Sequence, residues 1–232
     1  MRYTKVSEAT FLERPNRFIA KADLNGETVT AHVKNTGRCK EILVPGAKAV
    51  LAHSDNPDRK TAFDLVAAYK GDLLINIDSQ APNKVYGEAL NDGRIYDVPV
   101  TVKPEATCGD SRFDFLVEKD GEKIYTEVKG VTLEDDGVTL FPDAPTGRGV
   151  KHLKGLASLI DQGFKASAVF VVQMDRADYF MPNYDMHEEF AVAVEEAVEA
   201  GVDVVAYTCR VTEDSMELAE RIPVKLRNGI TL

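Results

Sequence analysis

The stretch Ser111–Val131, SRFDFLVEKDGEKIYTEVKGV, decides how this chain is read. Apolar and aromatic residues alternate with polar ones on both sides of Asp120-Gly121. That dipeptide tolerates the positive φ of a tight two-residue turn, so the stretch predicts a β-hairpin. With Asp120 and Gly121 as the loop, Lys119 faces Glu122 and cross-strand partners sum to 241, which puts Asp114 opposite Glu127. Strand side chains alternate between faces, so Lys129 shares a face with both acids. Two opposed carboxylates repel. A bound cation or a shared proton is the usual relief.

Two carboxylates and one lysine on a twisted hairpin make a divalent-cation site with a positioned ammonium. The spacing is the D-x12-E-x-K pattern of nuclease cores, with Asp114, Glu127 and Lys129 as the candidate catalytic set and Asp114 and Glu127 as metal ligands. The plainer alternative is a solvated polar face on an edge hairpin. The four histidines, His32, His53, His152 and His187, show no H-x-x-x-H spacing. Carboxylate ligands therefore favour magnesium or manganese over zinc. The three cysteines, Cys39, Cys108 and Cys209, form no C-x-x-C pair, and each reads as a free thiol.

At 232 residues the chain can bury a sizeable core as one large domain or two small ones. The start, MRYTKVSEATFLERPNRF, lacks the apolar stretch of a signal peptide, and no apolar run is long enough to span a bilayer. The expected location is the cytoplasm, with no membrane partner. The net charge of −10 argues against a surface coated in basic groups. Residues 1–80 carry 12 Lys and Arg against 10 Asp and Glu, whereas residues 81–232 carry 16 against 28. Any nucleic-acid face must be a local basic stripe, placed more naturally on the N-terminal part.

Residues 1–80 read as all-β. Asn25-Gly26 marks a hairpin between NRFIAKADL and ETVTAHV, and further strands are expected at Lys48–His53, Thr61–Tyr69 and Leu73–Ile77. Five short strands suggest a small barrel, of the oligonucleotide-binding type or another. Residues 81–232 follow a different pattern. A helix near Asn83–Leu90 precedes strand material at Ile95–Val102, the hairpin, a strand at Val138–Phe141, a helix over Gly149–Gln162, a buried strand at Ala166–Gln173, a helix at Met186–Ala200 and a strand at Val202–Cys209. This order describes an α/β domain with a mixed sheet. In the loop Leu140–His152, Arg148, Lys151, His152 and Lys154 gather at a helix start, where cations oppose the dipole and suit anion binding. The turn Asn35–Arg38 offers a second phosphate contact through Asn35 and Arg38. Glu88 and Glu105 are weaker candidates for a further carboxylate.

Taken together, PNRFIA, HVKNTGRC, SRFDF, YTEVKGVTL and LFPDAPTGRGVKHLKGL, in that order, resemble the sugar fermentation stimulation protein A family over nearly the whole length. The resemblance implies an N-terminal oligonucleotide-binding (OB)-type barrel joined to a C-terminal PD-(D/E)XK nuclease-like domain. It implies nonspecific DNA binding with a proposed role in sugar (maltose) metabolism. It places Asp114, Glu127 and Lys129 on the nuclease-like triad and Arg148 and His152 on the motif that follows. Three functions are therefore weighed: a magnesium- or manganese-dependent nuclease, a DNA-binding regulator without catalysis, and a phosphodiesterase for small nucleotides. The oligomeric state is open, with a homodimer among the alternatives.

Overall fold

The computed structural model describes every residue except Thr36, Pro57 and Asp110. Its first strands are β1 (Val6–Asn16), β2 (Ile19–Leu24), β3 (Glu27–Val33), β4 (Lys48–His53), β5 (Phe63–Lys70) and β6 (Leu73–Asn76). β1 pairs antiparallel with β2 and β4, β2 with β3, and β4 with β5. β3 then meets β5 in parallel and closes a ring of five strands among the described residues. The expected barrel is present, but its membership differs from the sequence reading. The ring includes β1, and β6 lies outside it, paired with β5. β1 gave little signal because only Ala9 and Phe11 along it are buried, and Pro15 interrupts its pattern. Ala20, Ala22, Ala31, Val33, Leu51 and Leu65 fill the interior with the apolar halves of alternating strands.

Helix α1 (Ala81–Asn91) follows, opened by Pro82 in its first turn, where the missing N–H costs nothing. Next come β7 (Thr101–Cys108), β8 (Ser111–Lys119), β9 (Glu122–Val131), β10 (Leu133–Asp135) and β11 (Val138–Phe141). Then follow α2 (Gly147–Asp161), β12 (Lys165–Val172), β13 (Tyr179–Pro182), α3 (Glu188–Ala200), β14 (Asp203–Val211) and β15 (Met216–Ile222). The main sheet runs β15-β14-β12-β9-β8-β7 and is mixed, as expected, with β9, β12 and β14 parallel and the edges antiparallel. Seven of the eight residues of β12 are buried, which fits a central strand covered on both faces. Phe170 packs with Phe180 and Phe190 on the side of α3, while Val169 and Val171 pack with Val85, Tyr86 and Ala89 of α1 on the other. The sheet is thus sandwiched between helices.

Three sequence expectations are corrected here. The strand before the hairpin is Thr101–Cys108 rather than Ile95–Val102. It is an exposed edge strand broken by Pro104 and by Glu105 at φ 52°, so its polar pattern carries little signal. Val138–Phe141 leaves the main sheet and forms a small separate one, β10-β11-β13. β15, a polar edge strand with three buried residues, was not anticipated. No helix of the described residues is long and apolar enough to cross a membrane.

Candidate functional site

The hairpin register is the one the sequence dictates: Lys119 pairs with Glu122, Glu118 with Lys123 and Phe115 with Thr126. Asp120 and Gly121 sit at φ 51° and 82°, as a turn of mirror-image type requires. The ladder stops at Phe115–Thr126, one pair short of Asp114–Glu127. Beyond it the strands separate, and the Val128 N–H donates to Asp114 Oδ2 at 2.7 Å instead of to a backbone carbonyl. The strict alternation of β8 also breaks there. Phe113 packs beside Tyr125 and His152, whereas Phe115, two residues on, packs against Tyr86 of α1. Asp114 therefore stands in the seam between the strands rather than as a regular pair partner of Glu127. Its Oδ1 accepts from Asn83 Nδ2 at 2.6 Å, which ties it to the first turn of α1.

Glu127 is 4% exposed. Its Oε1 accepts from the Lys129 ammonium, two residues along the same strand, and is bonded to His152 Nδ1 from α2. Arg148 Nε donates to the other ring nitrogen of His152 at 3.4 Å, which assigns the Nδ1 proton to the bond with Glu127. Glu127 Oε2 is buried with no hydrogen-bond partner. Burial alone would raise the Glu127 pKa, but the His152 hydrogen bond and the Lys129 charge outweigh it and hold the carboxyl below its usual range. Asp114 moves the other way: burial and the Glu127 charge raise it, against the Val128 N–H, Lys129 and Asn83. Two neighbouring acids are thus separated in proton affinity, as expected where both cannot ionise freely.

Arg148 and Lys151 lie exposed on the first turns of α2, and His152 is turned inward. Thr146 caps that helix through Gly149 N–H at 3.1 Å. Across from it stands the turn of the barrel. Asn35 Oδ1 accepts from Gly37 N–H at 2.7 Å, and Arg38 N–H donates to Asp143 Oδ2 at 2.9 Å, so the turn docks on the Pro142–Pro145 loop. A Cβ on Gly37 would collide with the Asp143 carboxylate, which explains the glycine. Thr36 of that turn lies outside the described residues. Arg14, not anticipated from the sequence, ties the turn down with bonds to the carbonyls of Asn35, Gly37 and Arg38. Between the turn and the loop opens a cleft of about 440 Å³, with Gly130 and Gln173 in its walls.

The other weighed carboxylates are elsewhere. Glu88 accepts from the Met1 ammonium at 2.6 Å, and Glu105 is exposed on β7 near Arg112. Asn83 and Gln173, which position the site and the cleft, carried no motif that would reveal them. Among the described residues, no group of three or more His, Cys, Asp or Glu side chains is arranged to hold a metal ion. Two carboxylates still suffice for magnesium, which keeps several waters and takes the rest of its shell from substrate phosphate. The orphaned, buried Glu127 Oε2 is an oxygen that such an ion would satisfy.

Comparison with known proteins agrees with this architecture. The family model described as the SfsA N-terminal OB domain matches residues 12–77, and that of the sugar fermentation stimulation protein RE domain matches residues 80–215. The chain is 49% identical over 229 residues to the sugar fermentation stimulation protein homolog of Desulfitobacterium hafniense strain Y51, covering 99% of this chain and 100% of that one. It is 47% identical over 226 residues to the homolog of Ruminiclostridium cellulolyticum, covering 97% and 100%. The solved structure of Pyrococcus furiosus SfsA in complex with Ca2+ superposes with a TM-score of 0.88 at 25% identity, over 97% of this chain and 98% of that one. A barrel closed by β3 on β5, a mixed sheet carrying the hairpin acids, and relatives matched end to end all say the same: the chain belongs to the sugar fermentation stimulation protein (SfsA) family.

Proposed function

We propose that this protein binds DNA without sequence preference and grips the phosphate backbone through a divalent cation, magnesium or manganese, held by Asp114 and Glu127. In this reading residues 1–80 and 81–232 act as two domains that face the same strand. Asn35 and Arg38 contact phosphate from the barrel, and Arg148 and Lys151 do so from the start of α2. His152 holds Glu127 in place. The carrying observation is Glu127 itself: a buried carboxylate with one oxygen fixed by Lys129 and His152 and the other without a partner, beside a second acid. The Ca2+ complex of the Pyrococcus relative supports a hard divalent ion as the ligand. Binding alone would serve a regulator, including one acting in sugar (maltose) metabolism.

Hydrolysis of the phosphodiester is the second reading, and the placement of Lys129 favours it. Its ammonium is fixed on Glu127 and only 19% exposed, so it is positioned to orient an attacking water. A bound cation would supply charge stabilisation at the scissile phosphate. Glu127 and Asp114 would be held ready by His152, Asn83 and the Val128 N–H.

Labelled single- and double-stranded DNA incubated with manganese, magnesium or EDTA, with binding and cleavage followed together, tests both readings. Asp114→Asn and Glu127→Gln each remove one ligand charge with little change of shape. They should abolish metal-dependent tightening, and any cleavage, while leaving metal-free binding equal or better. Absence of cleavage in every metal, with binding retained, leaves the regulator reading standing. Absence of binding removes both.

A further inference from the structure

The cleft between the barrel and the Pro142–Pro145 loop has features that a duplex-gripping site does not need. It opens beside Gly130, the residue directly after Lys129, and its rim includes Thr146 at the start of the helix that bears Arg148 and His152. Its volume of about 440 Å³ falls in the range of pockets that enclose a small molecule. Its polar groups are of a particular kind. Gln173 is 1% exposed, and its Nε2 is spent on the Asn76 carbonyl, the Asn76 side chain and the Asp78 carbonyl. Its Oε1 accepts from no described residue and points at Gly130, where any Cβ would collide with it. Gly130 therefore keeps that acceptor open to the cleft. Asn35 spends its Oδ1 on the Gly37 N–H, which leaves its amide N–H groups for the same space. Phe141 and Pro142 add apolar wall, and the exposed Arg17 stands at the mouth.

A buried amide acceptor, an amide donor and flat apolar walls, with a guanidinium outside, match a nucleobase attached to its phosphate. In an intact duplex the base edges are already paired and the faces stacked. Only an unpaired nucleotide can offer both at once. We infer that the cleft seats one unpaired nucleotide of single-stranded DNA, delivering the adjoining phosphate to the Asp114–Glu127–Lys129 site. The inference rests on the DNA-binding reading above and names the substrate class of that same site.

The test uses the full chain and a fluorescent oligothymidylate against a blunt duplex of equal length, with affinity measured by anisotropy in EDTA. Reading binding without metal separates this inference from the cation and hydrolysis readings, which are scored by added manganese. The expected result is tighter binding of the single strand by roughly ten-fold, the scale of one stacked base. Ala144→Phe, which fills the cleft from its lining loop, should erase that preference and leave duplex affinity unchanged. Asn35→Asp keeps the acceptor for Gly37 but replaces the amide donor with a charge; because Asn35 also faces phosphate in the reading above, duplex affinity falls too, but single-strand affinity should fall further and the preference should be lost. If Ala144→Phe does not fold, the Asn35→Asp arm decides. Equal affinity for duplex and single strand overturns the inference, as does an unchanged single-strand preference in a folded cleft variant. Single-strand preference lost in the variants, with no effect of manganese on any form, keeps the cleft and removes the cation.

Discussion

Single side chains decide how charge is managed in the barrel and at the candidate site. Asp64 is 7% exposed and takes both nitrogens of the Arg59 fork, at 2.5 and 3.0 Å, with the Lys34 ammonium at 3.2 Å. Burial would raise its pKa, but Arg59 and Lys34 more than offset this and hold it below the usual aspartate range. A carboxyl depressed in the folded state stabilises the fold above its unfolded pKa, about 3.9, and that contribution is lost as pH falls through the lower folded value. Asp64→Asn should cost about 2 kcal/mol at neutral pH, because Arg59 is left half-buried without its partner. Urea midpoints of wild type and variant should converge as pH drops below about 4. A gap that persists unchanged in acid would show that packing, not the ion pair, is responsible. At the candidate site, Arg148→Ala should weaken DNA binding first, since a guanidinium at a helix start is a phosphate anchor. Lys129→Ala should weaken binding only slightly and remove any cleavage; the two are separable by scoring filter binding and product together.

At the scale of elements, α2 carries the most consequence per residue. It places His152 against Glu127 and presents Arg148 and Lys151 outward, and its start is held by one side chain, Thr146. Thr146→Ala should lower stability by about 1 kcal/mol, the usual value of such a cap, and Thr146→Ser should restore most of it. Thermal melts of the three proteins check this; equal melting temperatures would mean the cap bond contributes nothing. The seam between β8 and β9 is the second consequential element. Where the ladder ends, the Asp114 side chain stands in for a backbone acceptor. A carboxylate is thus built into the sheet rather than hung from its surface, which accounts for its rigid hold; burial and the Glu127 charge raise its proton affinity against that N–H.

For the whole molecule, the barrel and the main sheet are not independent beads. Gln173, just after β12, bonds to Asn76 at the end of β6 and to Asp78 beyond it, and the Asn76 N–H returns to the Gln173 carbonyl at 2.9 Å. One continuous apolar cluster runs from Phe11 and Leu51 in the barrel to Phe170 of β12 and Phe190 of α3. Unfolding should therefore be a single transition, with fluorescence and circular dichroism midpoints coinciding; two separated steps would show that the halves fold alone. DNA affinity should fall steeply with salt, each phosphate contact adding roughly 0.9 to the slope of log K against log salt on duplex. A flat salt dependence would contradict a backbone grip by Arg38, Arg148 and Lys151.

The hairpin register, the nearness of Asp114 to Glu127 and Lys129, the covered β12 strand and the helix that bears His152 were all legible in the sequence. Each is a local pattern: a turn dipeptide, an alternation, a helical stripe. The half-exposed strands β1, β7 and β15 were not, because solvent accepts polar residues on them without a period. Nor could the sequence show that β3 closes on β5, that the ladder stops short of Asp114, or that Asn83 and Gln173 reach the site. These depend on contacts between segments far apart in the chain, such as Asn83 with Asp114 and Gln173 with Asn76. A side-chain amide is indifferent in composition and decisive only in place. Residue type and spacing therefore determined the chemistry available to this protein, and tertiary packing alone decided which groups share a carboxylate, which oxygen is left free, and that a cleft lies next to it.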